Sequence, residues 1–204
     1  MYPEYMEIEG KEYKINTDYR VALACFRAIN DDEIGNYERS LAIVTLLLGE
    51  DFPFELVPLA IEKCCTYLRC GKEENTSEEE IDMDYEQDKG RIMASFKSCY
   101  QMDINKENIC WWEFNDLIEG LKPDDVLNRV RRIRQANPDE ISNEKERQEL
   151  IETQKRLAIK VKEKKSPRQK EIDEFWDKII GGESDEWFWW KNCYWNKNWY
   201  KTIW

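Results

Sequence analysis

The stretch Ile109-Cys110-Trp111-Trp112-Glu113-Phe114-Asn115-Asp116-Leu117-Ile118-Glu119-Gly120-Leu121 decides how the chain is read. Trp111, Phe114, Leu117, Ile118 and Leu121 recur at helical spacing, which predicts an amphipathic helix with Trp111 in the core. Neighbouring residues on a helix point about 100° apart, so Trp112 leaves that stripe. It either seals a helix junction or faces a partner. Gly120 is expected to stop the helix, as glycine commonly does just past a C-cap.

Outward from this block the chain reads as mainly α-helical, with a small N-terminal β-hairpin and a charged C-terminal helical extension. Met6-Glu7-Ile8 and Tyr13-Lys14-Ile15 flank Glu9-Gly10-Lys11-Glu12, a hairpin turn around Gly10. Asp18 caps a helix to about Asn30, a second runs from about Ile34 to Leu48, and a third from Leu56 to Cys70 tolerates Pro58 near its first turn. A fourth is capped by Asp84 and reaches about Met102. The aromatic block is the fifth, and Pro123 opens a sixth, with Val126, Leu127, Val130 and Ile133 on one side.

Three segments follow from these breaks: a helical core domain over 1–136 with an acidic loop at 72–84, a charged helical extension over 137–182, and a Trp-rich tail over 183–204. Within the extension, Asp139 to Lys165 reads as a long exposed helix laced with i,i+4 pairs such as Glu152 and Arg156. Arg168 to Ile180 reads as a short amphipathic helix.

Charge is unevenly placed. The formal net charge is −12, but residues 1–120 hold 27 acidic and 12 basic side chains, and 121–204 hold 16 and 19. An acidic front half argues against nucleic acid as a partner, because phosphate binding needs Lys and Arg to displace counterions. The N-terminus lacks the basic start and apolar core of a secretory signal, and the longest apolar run, Leu41 to Leu48, is too short to span a bilayer. A cytosolic chain with no membrane partner is expected.

Chemistry is sparse. There is no histidine, so the usual proton shuttle is missing, and no phosphate-binding or nucleophile motif occurs. The seven cysteines show no paired C-x-x-C spacing and read as reduced, buried thiols. The expectation is a protein that is not an enzyme, with no catalytic residue, metal or cofactor.

The aromatic block, taken with Ile8-Glu9-Gly10-Lys11-Glu12-Tyr13, Ile15-Asn16-Thr17-Asp18-Tyr19-Arg20, Tyr67-Leu68-Arg69-Cys70-Gly71-Lys72, the basic stretch Arg129 to Arg134, Glu144-Lys145-Glu146-Arg147 and Gln154-Lys155-Arg156-Leu157-Ala158, resembles the bacteriophage gene-product-fifteen family. This family is encoded in tail-morphogenesis modules of long-tailed phages of Gram-positive hosts. The resemblance spans roughly residues 7 to 160. It implies a tail assembly chaperone that holds the tape measure protein until tail-tube protein polymerises around it, acting in the host cytoplasm and absent from the finished virion. The alternative is a structural virion component, such as a connector or tail-terminus protein.

The partners implied are the tape measure protein, then the major tail tube protein and a second copy of the chain. A surface that covers apolar stripes on a long helical client reversibly favours helix-in-groove contact. Trp112, Tyr100 and Tyr67 are the candidates for apolar contact, and Arg129, Arg131, Arg132 and Arg134 for charge steering.

The tail from Trp187 to Trp204 holds six of the nine tryptophans and no acidic residue, without helical or strand periodicity. Tryptophan has one codon, so a forward shift of one base turns every Trp into glycine. Asn or Tyr before a T- or A-starting codon becomes Ile or Thr and Lys stays Lys or Arg, so Trp187 to Lys201 can be rewritten as Gly-Phe-Gly-Gly-Lys-Ile-Val-Ile-Gly-Ile-Lys-Ile-Gly-Ile-Lys, with the alternation of a strand. The tail is therefore expected to share its DNA with a reading in another frame, through either the start of the next gene or a frameshift event, and to be dispensable for folding.

Overall fold

The computed structural model describes residues 2–31, 33–72 and 82–160. The acidic run at 73–81, the helix expected from Arg168, and the Trp-rich tail lie outside them. The described residues are mainly helical, with one two-stranded antiparallel hairpin. They form two compact units: one holds residues 2–72 with Cys110–Trp112, the other 82–109 with 113–160.

The first unit opens with β1 (Tyr5–Ile8) and β2 (Lys11–Lys14), in register Tyr5↔Lys14 through Ile8↔Lys11. Its turn is shorter than the expected four residues. Glu9 and Gly10 both take positive φ (51° and 73°), the two-residue form whose twist matches that of the strands. Met6 and Ile8 alternate inward into the core, and Tyr5 and Glu7 outward.

Helix α1 (Tyr19–Ile29) starts where the Asp18 carboxylate accepts the Arg20 N–H at 2.8 Å. It packs on α2 (Asn36–Leu48), which packs on α3 (Val57–Leu68), with Pro58 in the first turn, where its missing N–H costs nothing. Ala22, Cys25, Phe26, Val44, Leu47, Ile61, Cys64 and Leu68 make the shared core. Burial pushes the Cys25 thiol up to about 12 and Cys64 well above its ordinary value, so both act as small hydrophobes.

The end of α3 is unusually well closed. Cys70 is left-handed (φ 54°), the Cys70 N–H donates to Tyr67 O and the Gly71 N–H to Thr66 O, each at 3.0 Å, a Schellman cap. Two further donors arrive from α5 (Trp111–Glu119). The Trp111 indole N–H donates to Leu68 O at 2.8 Å and the Trp112 indole N–H to Tyr67 O at 3.0 Å. Adjacent tryptophans thus serve adjacent carbonyls that a helix end leaves without intrahelical partners. Trp111 is completely buried against Phe26, and Trp112 is half-buried over Gly71, whose absent Cβ would lie 3.2 Å from the Trp112 ring.

In the second unit, α4 (Lys89–Tyr100) begins later than expected. Asp84 accepts the N–H groups of Glu86 and Gln87 in a preceding turn, and Asp88 occupies the N-cap. Helix α5 ends at Glu119, so Gly120 stops it as expected, without a positive φ. Gly120 is needed because Tyr100 Oη would sit 2.8 Å from a Cβ there, as its hydroxyl donates to Leu117 O at 2.8 Å.

Helix α6 (Val126–Gln135) starts three residues after Pro123, capped by Asp125. Asp125 also accepts from Ser95 Oγ, which ties α4 to α6. Leu127 and Val130 are buried as expected, whereas Val126 is exposed. Helix α7 (Glu144–Leu157) is shorter than the Asp139 to Lys165 span: 138–140 form a 3-10 turn and the Asn143 side chain caps the helix. No α7 residue is buried, and its ion pairs are Glu144–Arg147 (2.5 Å) and Lys145–Glu149 (3.9 Å) in place of Glu152–Arg156.

Candidate functional site

A groove of about 390 Å³ opens in the first unit between the hairpin and α3. Pro3, Tyr5, Met6 and Ile15 line it from the hairpin side, Glu62, Lys63, Thr66 and Tyr67 from α3, with Gly71 and Trp112 at one end. The groove exists because the face of α3 toward it carries exposed Glu62, Lys63 and Thr66 instead of core-filling apolar residues. Lys63 spans it, its ammonium donating to Glu7 O.

Two of the candidate contact aromatics meet here. Tyr67 and Trp112 lie 6.1 Å apart, ring centre to ring centre. Tyr67 is not off-core as expected: it is only 5% exposed, and burial, followed by the nearby Cys110, Cys70 and Cys25 thiols, pushes its phenol well above its ordinary value. It presents a neutral edge to the groove. Trp112 closes the α3 terminus with its N–H, as the helix-junction reading expected, and also lines one end of the groove. Tyr5, 54% exposed, is the most accessible aromatic in the lining.

The remaining candidates belong to the second unit and divide by what they touch. Arg134 donates to both oxygens of the fully buried Asp88 (2.6 and 3.0 Å) and to Leu157 O (2.8 Å). Arg131 pairs with Asp82 at 2.9 Å, where Gln135 also donates at 2.7 Å. Tyr100 spends its hydroxyl on Leu117 O. Only Arg129 and Arg132 of the arginines in the basic stretch are exposed, Arg132 lying 3.8 Å from a still more open Asp124. Steering an anionic partner needs accessible guanidinium groups, which narrows that role to these two.

Sequence reasoning did not single out Tyr5, Met6, Ile15, Lys63 or Thr66. The signal was present in an exposed Tyr alternating with buried Met6 and Ile8, and in the polar break on an otherwise apolar α3. Among the described residues, no three His, Cys, Asp or Glu side chains are grouped to hold a metal ion, and no helix is long and apolar enough to cross a membrane.

No curated protein and no solved structure matches the chain. A family pattern described as Bacteriophage Gp15 protein matches residues 2–159, a span that takes in the hairpin, all seven described α-helices and every residue of the groove. The chain belongs to that bacteriophage family.

Proposed function

We propose that this phage protein is a tail assembly chaperone that binds the tape measure protein during tail morphogenesis and leaves before the tail is complete. The observation that carries the reading is the groove: an apolar, aromatic-edged cleft with a polar rim on a member of a bacteriophage family. A cleft of about 390 Å³ receives a few side chains of a client, giving contact that is weak per copy and reversible. Many copies along one long client shield it, and each is shed as tube protein competes for the same stripe.

The test is paired. Co-expression with the tape measure protein of the same phage is expected to give a co-purifying complex, and washed virions are expected to lack the chain by mass spectrometry. Stoichiometric presence in virions without co-purification would replace the chaperone by a structural component.

A further inference from the structure

The hydrogen-bond parity of the hairpin leaves one strand edge open. Ile15 N–H donates to Glu4 O at 2.8 Å, so Glu4 and Ile15 form a hydrogen-bonded pair. Antiparallel pairs alternate, which makes Met6↔Tyr13 and Ile8↔Lys11 bonded pairs and turns the N–H and C=O of Tyr5 and Glu7 away from β2. Lys63 confirms the direction by reaching Glu7 O from α3. Among the described residues β1 pairs only with β2, so its outer edge meets the groove at Tyr5, with the Tyr5 N–H and C=O and the Glu7 N–H left for a partner and the Glu7 carbonyl taken by Lys63.

We propose that this groove takes an extended client segment as a third strand on β1, one in which apolar and basic residues alternate. An added helix cannot satisfy the edge, because its backbone groups are already bonded internally, whereas an extended chain supplies the missing donors and acceptors. Alternate side chains of such a strand enter the cleft between Tyr5 and Trp112, and exposed Leu59 continues the same α3 face as Lys63 and Thr66.

Charge selects the occupant. The described part of this unit carries twelve Asp and Glu against eight Lys and Arg, with Glu4, Glu7 and Glu62 exposed about the edge against the one lysine, Lys63, that lines the groove. The opposite edge, on β2, presents two exposed lysines, Lys11 and Lys14, against one exposed carboxylate, Glu12, and is the less favourable edge for a cationic strand. The codons open to the chain's own last residues allow a segment of this chemistry one base forward, where Trp187 to Lys201 can read Gly-Phe-Gly-Gly-Lys-Ile-Val-Ile-Gly-Ile-Lys-Ile-Gly-Ile-Lys. Its identification with a client rests on the chaperone reading. The strand geometry does not.

The experiment titrates that fifteen-residue synthetic peptide into the full-length chain by calorimetry and follows amide hydrogen exchange. Saturable binding with slowed exchange at Tyr5 and Glu7 is expected, together with loss of binding by a peptide whose lysines are replaced by glutamate. Thr66→Trp, filling the groove from an exposed position, and Tyr5→Pro, removing only an outward N–H from the backbone, are each expected to weaken binding by about tenfold or more. Binding that leaves Tyr5 and Glu7 unprotected, or that Thr66→Trp does not weaken, overturns the proposal. No peptide binding while the full-length tape measure protein still co-purifies overturns the strand inference and leaves the chaperone standing; failure of both removes both.

Discussion

Arg134 grips Asp88 with both arms of its guanidinium, at 2.6 and 3.0 Å, and the pair is almost wholly out of water, Asp88 at 0% and Arg134 at 8% side-chain exposure. Removing one member leaves the other as an uncompensated buried charge. Asp88→Asn or Arg134→Met is therefore expected to cost about 3–5 kcal/mol of stability. The double variant Asp88→Leu/Arg134→Met is expected to cost well under the sum, read by urea denaturation as a double-mutant cycle.

The same carboxylate sets an acid limit. Burial alone raises the Asp88 pKa, but hydrogen bonds from Arg134, the Asp84 N–H and Arg91, with the Arg134 charge, outweigh it and hold the carboxyl below its usual value. A depressed folded-state pKa contributes stability that is complete above the unfolded value of about 3.9 and is lost as pH falls through the folded one. Denaturation midpoints between pH 7 and about pH 2.5 are expected to drop at the acid end, with a shallower drop in Asp88→Asn. Equal slopes would contradict this assignment.

The tandem tryptophans are not equivalent. Trp111→Phe leaves the buried Leu68 carbonyl without its indole donor and a gap in the core, an expected loss of about 2–4 kcal/mol. Trp112→Phe removes a bond to Tyr67 O, which keeps the Cys70 N–H, from a half-buried site, so about 1 kcal/mol is expected. Chemical denaturation of the two variants orders them, and the reverse order would refute the packing described.

Gly120→Ala drives a methyl against the Tyr100 hydroxyl and is expected to destabilise by about 1–3 kcal/mol. Tyr100→Phe in the same chain removes the clashing oxygen, so the double variant is expected to recover part of the loss. A purely additive cycle would show that the glycine is needed for some other reason.

Elements specified by neighbours in sequence were legible. Asp18 before an apolar helical repeat, Glu9-Gly10 between alternating runs, and Pro58 at a helix start each work within a few residues. Where two local signals compete, as Asp84 and Asp88 do for one cap, the choice fell to Arg134, 46 positions from Asp88. The basic stretch misled for the same reason. Arg131 and Arg134 have solvent-facing spacing on α6, but their carboxylate partners Asp82 and Asp88 arrive from distant chain. The groove was legible through Tyr67 and Trp112 alone, because its other wall is made by residues whose role depends on what α3 leaves unfilled.

The indole bonds to α3 also impose an order in time. Trp111 lies 43 positions after the carbonyl it serves, and residues of the other unit intervene in the chain. At roughly 5–20 residues per second, a ribosome needs roughly 2–9 s to travel from Leu68 to Trp111. Throughout that interval the helix terminus stands without its two indole donors and the cleft lacks its Trp112 end. The nascent chain therefore acquires a finished binding surface as a late, discrete event of translation, and pulse-labelled nascent chains released before residue 112 are expected to be digested by protease where those released just beyond the α5 coding region resist.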